Sequence, residues 1–441
     1  MSSAEALPIT GKNGQVVRPV RTRMRIGSGS RSIRVPLAKI LVLAAFALCM
    51  SAPEELFYNR IESELNPDVG AIKLILLGLG FAILFVCRGH KQHWAIADPF
   101  VMLMAWAVIC WIVSGADMLP ARNLVSSFGG IVVVASFCSA VPYVGGIRGI
   151  VRLLVWALVL TAVTSVILGI LGLQAMPGEL ASATQLEWFH GIGLPGYAVA
   201  GCAVLIAWVL ARYLSGPGVW LEPVIVLLLL IPAFSFLRTF LIGIVFSIIV
   251  ATYVAVRRTR RRKPERQLTY DHGYKRLLLL LTVILFLAAA IFLLKTSTRE
   301  EGSELSGREI IWPIEIASII QHPLFGIGPF GDVKLLRFIE DLPQVGAAHS
   351  EYLGAAVCYG VPGLILFVGT LYAIWKRILR YRPTSLDERS CRYAALFALG
   401  SLSITIIAEN VIRDPRLFAL YLLFPALCLS AGATNLKKAA R

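Results

Sequence analysis

Charge is scarce in this 441-residue chain: Asp, Glu, Lys and Arg make up 15% of it, against 57% hydrophobic residues. A soluble fold has no core large enough to take up that much apolar surface, so a water-soluble globule is excluded. Histidine is limited to 6 residues. The eight cysteines (Cys49, Cys87, Cys110, Cys138, Cys202, Cys358, Cys391, Cys428) show no paired spacing and lie in or beside apolar runs. That pattern excludes a disulfide framework and reads as packing. The sequence has no evident internal repeat, which argues against a transporter built from paired halves.

What the chain does have is a series of solid apolar runs. A helix rises about 1.5 Å per residue and needs roughly 20 residues to cross the hydrocarbon of a bilayer. The runs do not alternate, so they predict helices and not a barrel. Twelve spans are expected, at 37–53, 69–87, 97–115, 123–143, 150–173, 195–214, 219–235, 236–256, 276–294, 353–375, 393–412 and 417–432. This divides the chain into a disordered basic tail (1–36), nine spans (37–294), a large partly helical loop (295–352), three spans (353–432) and a short tail (433–441).

The formal charge of +16 is a topology signal. Basic residues crowd the N-terminal tail, the segment from Arg257 to Lys263, and the groups around Lys376–Arg382 and Lys437–Lys438. By the positive-inside rule these face the cytoplasm, where they meet anionic lipid head groups. Both termini are then expected to be cytoplasmic, and the 295–352 loop to lie on the outer side of the membrane. No aromatic residues interleave with the arginines, so nucleic acid is not an expected partner.

The 295–352 loop carries acids, among them Glu304, Glu309, Asp332 and Glu340, yet also Ile310, Ile311, Trp312, Ile316 and Ile320. Such apolar content predicts an amphipathic helix on the bilayer surface, starting near Pro313. Gly326, Gly328 and Gly331 then predict a turn. Along this segment run Gly307-Arg308, Trp312, His322-Pro323-Leu324-Phe325-Gly326-Ile327-Gly328, His349-Ser350-Glu351-Tyr352-Leu353 and Gly360-Val361-Pro362-Gly363. In order and spacing this series resembles the O-antigen ligase and O-antigen polymerase family of membrane glycosyltransferases. Weaker matches are Ser235-Phe236-Leu237-Arg238-Thr239 and His190-Gly191-Ile192-Gly193-Leu194-Pro195-Gly196. Ser350 and Gly196 stand where the family often has Asn, so neither takes a role by analogy.

The resemblance implies an all-α, GT-C-like membrane enzyme. It would move a glycan from an undecaprenyl-diphosphate carrier to an acceptor hydroxyl, on a growing glycan or on lipid A core. Such a site must hold a diphosphate and orient a hydroxyl. Arginine suits the first task, because its planar fork pairs with phosphate oxygens and keeps its charge. Arg238 and Arg308 are the candidates, against a lipid-snorkelling role for the first and a surface ion pair for the second. His349 suits the second task, since neutral imidazole accepts a proton at ordinary pH.

Glu351 either orients His349 or is a surface carboxylate. Arg413 and Arg416 either add charge to the site or anchor a helix end. His322 is read as shaping its loop, and His190 lies in an outer loop open to an acceptor. No Asp-x-Asp pair or His/carboxylate cluster appears, so the expected site uses neither metal nor cofactor. The basic tail suggests chain-length-regulating protein partners. A flippase of lipid-linked glycans is the rival reading. It should carry charge deep within several spans, whereas charge here collects at span ends.

Overall fold

In the computed structural model the residues described are 31–50, 68–87, 91–115, 118–170, 195–215, 242–243, 245–250, 253, 308–329, 331–336, 350–407, 411 and 414–439. They are almost entirely helical, with no strand among them. The expected spans 219–235 and 276–294 lie outside the described residues.

The helices are α1 (Arg31–Met50), α2 (Asp68–Cys87), α3 (Val101–Val113), α4 (Met118–Val144), α5 (Ile147–Ile170) and α6 (Pro195–Ser215), then α7 (Arg308–Gln321), α8 (Gly331–Leu336), α9 (Glu351–Arg380), α10 (Leu386–Thr405), α11 (Pro415–Tyr421) and α12 (Leu423–Ala439). Among the described residues, four helices are long and apolar enough to cross a membrane. A fifth span results if α11 and α12, bent by 55° at their junction, count as one. The chain is a multi-pass membrane protein.

Lipid offers no hydrophobic drive between helices, so packing rests on close fit and small residues. A Cβ at Gly130 would overlap the Phe418 ring, and one at Gly201 would press on the Met50 sulfur. These glycines let α4 meet α11 and α1 meet α6. Outward, α2, α3, α5 and α9 present large apolar side chains such as Phe85, Met102, Trp156 and Ile365, all exposed. All eight cysteines are free and buried.

One end of the bundle is basic. Asp387, at the start of α10, accepts from Arg148 Nε at 2.9 Å and from Arg212 Nη1 at 3.1 Å, tying α5 and α6 to α10. Nearby, Arg392 donates to the carbonyls of Ile378 and Leu379, which end α9. Arg377 meets Asp98 at 3.3 Å. The opposite end, where α9 begins and α3 and α10 finish, holds the loop described next.

Candidate functional site

Helix α9 is broken ten residues from its start: Gly360 has φ 70° and ψ −175°, and Pro362 follows. A break frees carbonyls and an N–H that lipid cannot satisfy, each at a cost of several kcal/mol. The 322–331 turn fills that need. Ile327 N donates to Val357 O at 2.9 Å, Gly328 N to Cys358 O at 3.1 Å, and Val361 N to Pro323 O at 2.8 Å. The last freed carbonyl, Tyr359 O, accepts from Trp106 Nε1 of α3 at 2.9 Å.

Contact this close requires glycine on both sides. A Cβ on Gly360 would collide with Leu324 O, and one on Gly326 with Val357 O, and both residues have positive φ. The Trp106 ring also stacks on Phe325, centroids 5.5 Å apart. The run from His322 to Gly328 is thus a plug shaped to the α9 break.

This plug fixes the helix before it. α7 runs from Arg308, so the expected amphipathic helix is present but begins five residues earlier than Pro313, which lies inside it. Ile311, Glu315 and Ser318 face inward and are buried, whereas Ile316, Ile320 and the following Leu324 are exposed. α7 packs its inward face on α9. The exposed apolar stripe suits a helix lying in the bilayer interface.

Four charged side chains are buried among the described residues: Glu315, Asp332, Glu351 and Arg416. All belong to elements at the plug end. Asp332, at the start of α8, accepts from the Cys358 thiol at 3.3 Å. Glu351 opens α9 and is 4% exposed, so it is not a surface carboxylate. Its backbone N–H donates to Ile406 O at 3.0 Å, joining α9 to the end of α10. Ser350, extended at φ −155° and ψ 117°, caps α9 through its hydroxyl.

Arg416 is 1% exposed and bound by Asp414, with Nη2 to Oδ2 at 2.8 Å and Nε to Oδ1 at 3.1 Å. Asp414 Oδ1 also accepts from Arg416 N and so caps α11. His322 is exposed, and its backbone N–H donates to Ser318 O while its carbonyl accepts from Gly326 N, so its backbone joins α7 to the plug. Arg308 is the first residue of α7. Arg238, His349, Arg413 and His190 lie outside the described residues. Among the described residues, no three His, Cys, Asp or Glu side chains are grouped to hold a metal ion.

Residues 223–368 match the family model described as O-Antigen ligase. The match covers about a third of the chain and supports its membership of the O-antigen ligase/polymerase family. No curated protein matches the chain.

Members of the O-antigen ligase family are glycosyltransferase-like enzymes, and the match supports a role for this membrane protein in O-antigen or polysaccharide glycan transfer. The matched stretch contains α7, the plug and the broken half of α9, and with them Arg238, Arg308, Glu315, His322, Asp332, His349 and Glu351. His190, Arg413 and Arg416 fall outside it. Glu315 was the residue that pattern reading passed over, because the eye follows the isoleucines around it. A signal was present: an acid set among the isoleucines of α7.

Proposed function

We propose that this chain is a polymerase of surface polysaccharide. It takes a glycan from an undecaprenyl-diphosphate carrier and joins it to the acceptor hydroxyl of a further repeat unit, at the periplasmic face of the inner membrane. The remaining spans complete a GT-C-like bundle of about twelve helices with both termini cytoplasmic.

The reaction needs two things. The acceptor oxygen must lose its proton as it attacks C1 of the donor sugar, and the C1–O bond to the diphosphate must break with the electron pair leaving on that oxygen. His349 takes the proton. Glu351, two residues on, is the carboxylate that orients the imidazole and stabilises its charged form. Arg238 and Arg308 hold the diphosphate and stabilise the charge that grows on it, so the arginines supply what a divalent cation supplies elsewhere.

The observation that carries this reading is the concentration of buried carboxylates Glu315, Asp332 and Glu351 in the segment that matches the family, at the end away from the basic residues. Buried charge is costly in a membrane protein and marks working sites. The test is glycan transfer in membranes bearing His349→Ala, Arg238→Ala or Arg308→Ala. Loss of transfer with normal insertion is expected, and normal turnover by all three variants would sink the assignment. Surface polysaccharide of a deletion strain separates polymerase from ligase: single units without long chains mark the first, unattached polymer the second.

A further inference from the structure

α5 is one of the four helices long and apolar enough to cross a membrane. Along it Arg148, Arg152, Trp156, Val159, Val163 and Ile167 are all exposed. Their spacings of three and four residues place them on one face of the helix. From the basic end inward, that face carries two arginines, an indole and three branched aliphatic side chains.

Charge at the head of this stripe is unbalanced. Asp387 holds Arg148 by Nε at 2.9 Å and Arg212 by Nη1 at 3.1 Å, so one carboxylate serves two guanidiniums. Arg152, one turn along from Arg148, forms no ion pair among the described residues. The neighbouring acid, Glu388, is taken up by the Tyr381 hydroxyl and by Thr384. The three guanidiniums thus keep two positive charges. Like charges four residues apart on a helix repel. An anion lying across positions 148 and 152 removes that repulsion, and Asp387 fixes Arg148 in place before the anion arrives.

What carries the anion follows from the remainder of the stripe. An indole one turn inward of the arginines stands where Trp is favoured, at the boundary between head groups and hydrocarbon. From Trp156 to Ile167 the helix rises about 17 Å, close to the roughly 15 Å depth of one leaflet. We propose that this stripe is the seat of one anionic phospholipid. Its phosphate lies across Arg148 and Arg152, its glycerol backbone against Trp156, and an acyl chain along Val159, Val163 and Ile167. A zwitterionic lipid brings its own cation to the arginines and binds more weakly. A soluble phosphate gains only the head of the stripe. Because Asp387 ties α5 and α6 to α10, a lipid bound here braces the end of the bundle opposite the plug.

The experiment uses the full chain, purified in detergent and titrated with phosphatidylglycerol or phosphatidylcholine of identical acyl chains, with native mass spectrometry counting the lipids retained. An arginine near a phosphate contributes about fivefold in affinity. One phosphatidylglycerol should be retained at least about tenfold more tightly than phosphatidylcholine, and Arg152→Gln should cut that preference about fivefold. Arg380→Gln, at an exposed arginine of the same end on α9, should leave it unchanged. Equal retention of the two lipids by the wild type overturns the proposal, and so do equal losses in the two variants, which would mean that the charge acts diffusely. Glycerol phosphate that displaces the lipid at equal concentration also overturns it, since the acyl contacts would then add nothing. Crosslinking of Val159→Cys to a second copy would make the stripe a protein interface and remove the lipid from it. Thermal unfolding of the wild type needs no variant: phosphatidylglycerol should raise its Tm more than phosphatidylcholine does, and equal shifts sink the site even if Arg152→Gln folds poorly.

Discussion

The indole N–H of Trp106 donates to the backbone carbonyl of Tyr359 at 2.9 Å, so a side chain of α3 satisfies the last carbonyl freed by the break in α9. The other freed groups bond to the 322–331 turn. Helix break and turn are therefore one unit, and neither is stable in lipid without the other.

That dependence makes Gly360→Ala severe. The left-handed backbone costs a non-glycine residue about 1–2 kcal/mol, and its Cβ would also meet Leu324 O. Trp106→Phe keeps the stacked ring but takes the indole donor from the Tyr359 carbonyl, which the Cys110 thiol meets more weakly at 3.9 Å, at a cost of about 1–3 kcal/mol. Thermal unfolding in detergent should rank Gly360→Ala below Trp106→Phe and both below wild type. Equal stability of all three would show that the turn holds without the break.

The exposed stripe of α7 makes a prediction about depth. Ile320 is 73% exposed, and Leu324 follows it one turn on. An exposed isoleucine in this protein is solvated by lipid if α7 lies in the interface. A nitroxide at Ile320→Cys should relax faster with dissolved oxygen than with a polar nickel chelate. The reverse preference would place α7 in water and remove the interfacial reading.

Hydropathy located most described helices well and their ends poorly. Expected spans 69–87 and 195–214 coincide with α2 and α6 to within a residue. By contrast α9 runs to Arg380, five residues past its expected end, because backbone hydrogen bonding continues through the basic residues Lys376, Arg377 and Arg380 where the apolar run has stopped. The 55° bend between α11 and α12 was also missed. Its cause stands in the sequence: Pro425 has no N–H and crowds the carbonyl of Tyr421, four residues back. In the site, the glycines of the plug announced a turn. They did not announce its partner, since nothing local says that Gly360, some thirty residues later, receives it. Glu315 went unread for a similar reason: its burial depends on which face of α7 meets α9.

The basic end carries a pH dependence. Burial raises the Glu388 carboxyl, but the backbone N–H and hydroxyl of Thr384, the Tyr381 hydroxyl and the backbone N–H of Ser385 outweigh it and hold it below its ordinary value of 4.5. A group depressed in the folded state contributes stability that is complete above its unfolded pKa and lost as pH falls through the folded one. Stability should thus decline below about pH 4.5, beyond what Glu388→Gln shows. Parallel pH profiles for wild type and Glu388→Gln would remove this account. The same bonds make Tyr381 a poor acid: burial, then the Glu388 contact, push its hydroxyl up.

The last prediction concerns the buried pair at the start of α11. Arg416 is held by Asp414 through two side-chain nitrogens, and Asp414 also caps the helix. Removing one member of a buried pair leaves an uncompensated charge, which costs about 3–5 kcal/mol, whereas replacing both with groups of similar size is far milder. Arg416→Met alone should therefore unfold at a much lower temperature than Arg416→Met with Asp414→Asn, in which asparagine keeps the cap. Glycan transfer should follow the amount of folded protein, because Arg416 then serves to seat α11 and not to hold substrate. A folded Arg416→Met variant that binds donor poorly would return this arginine to the site.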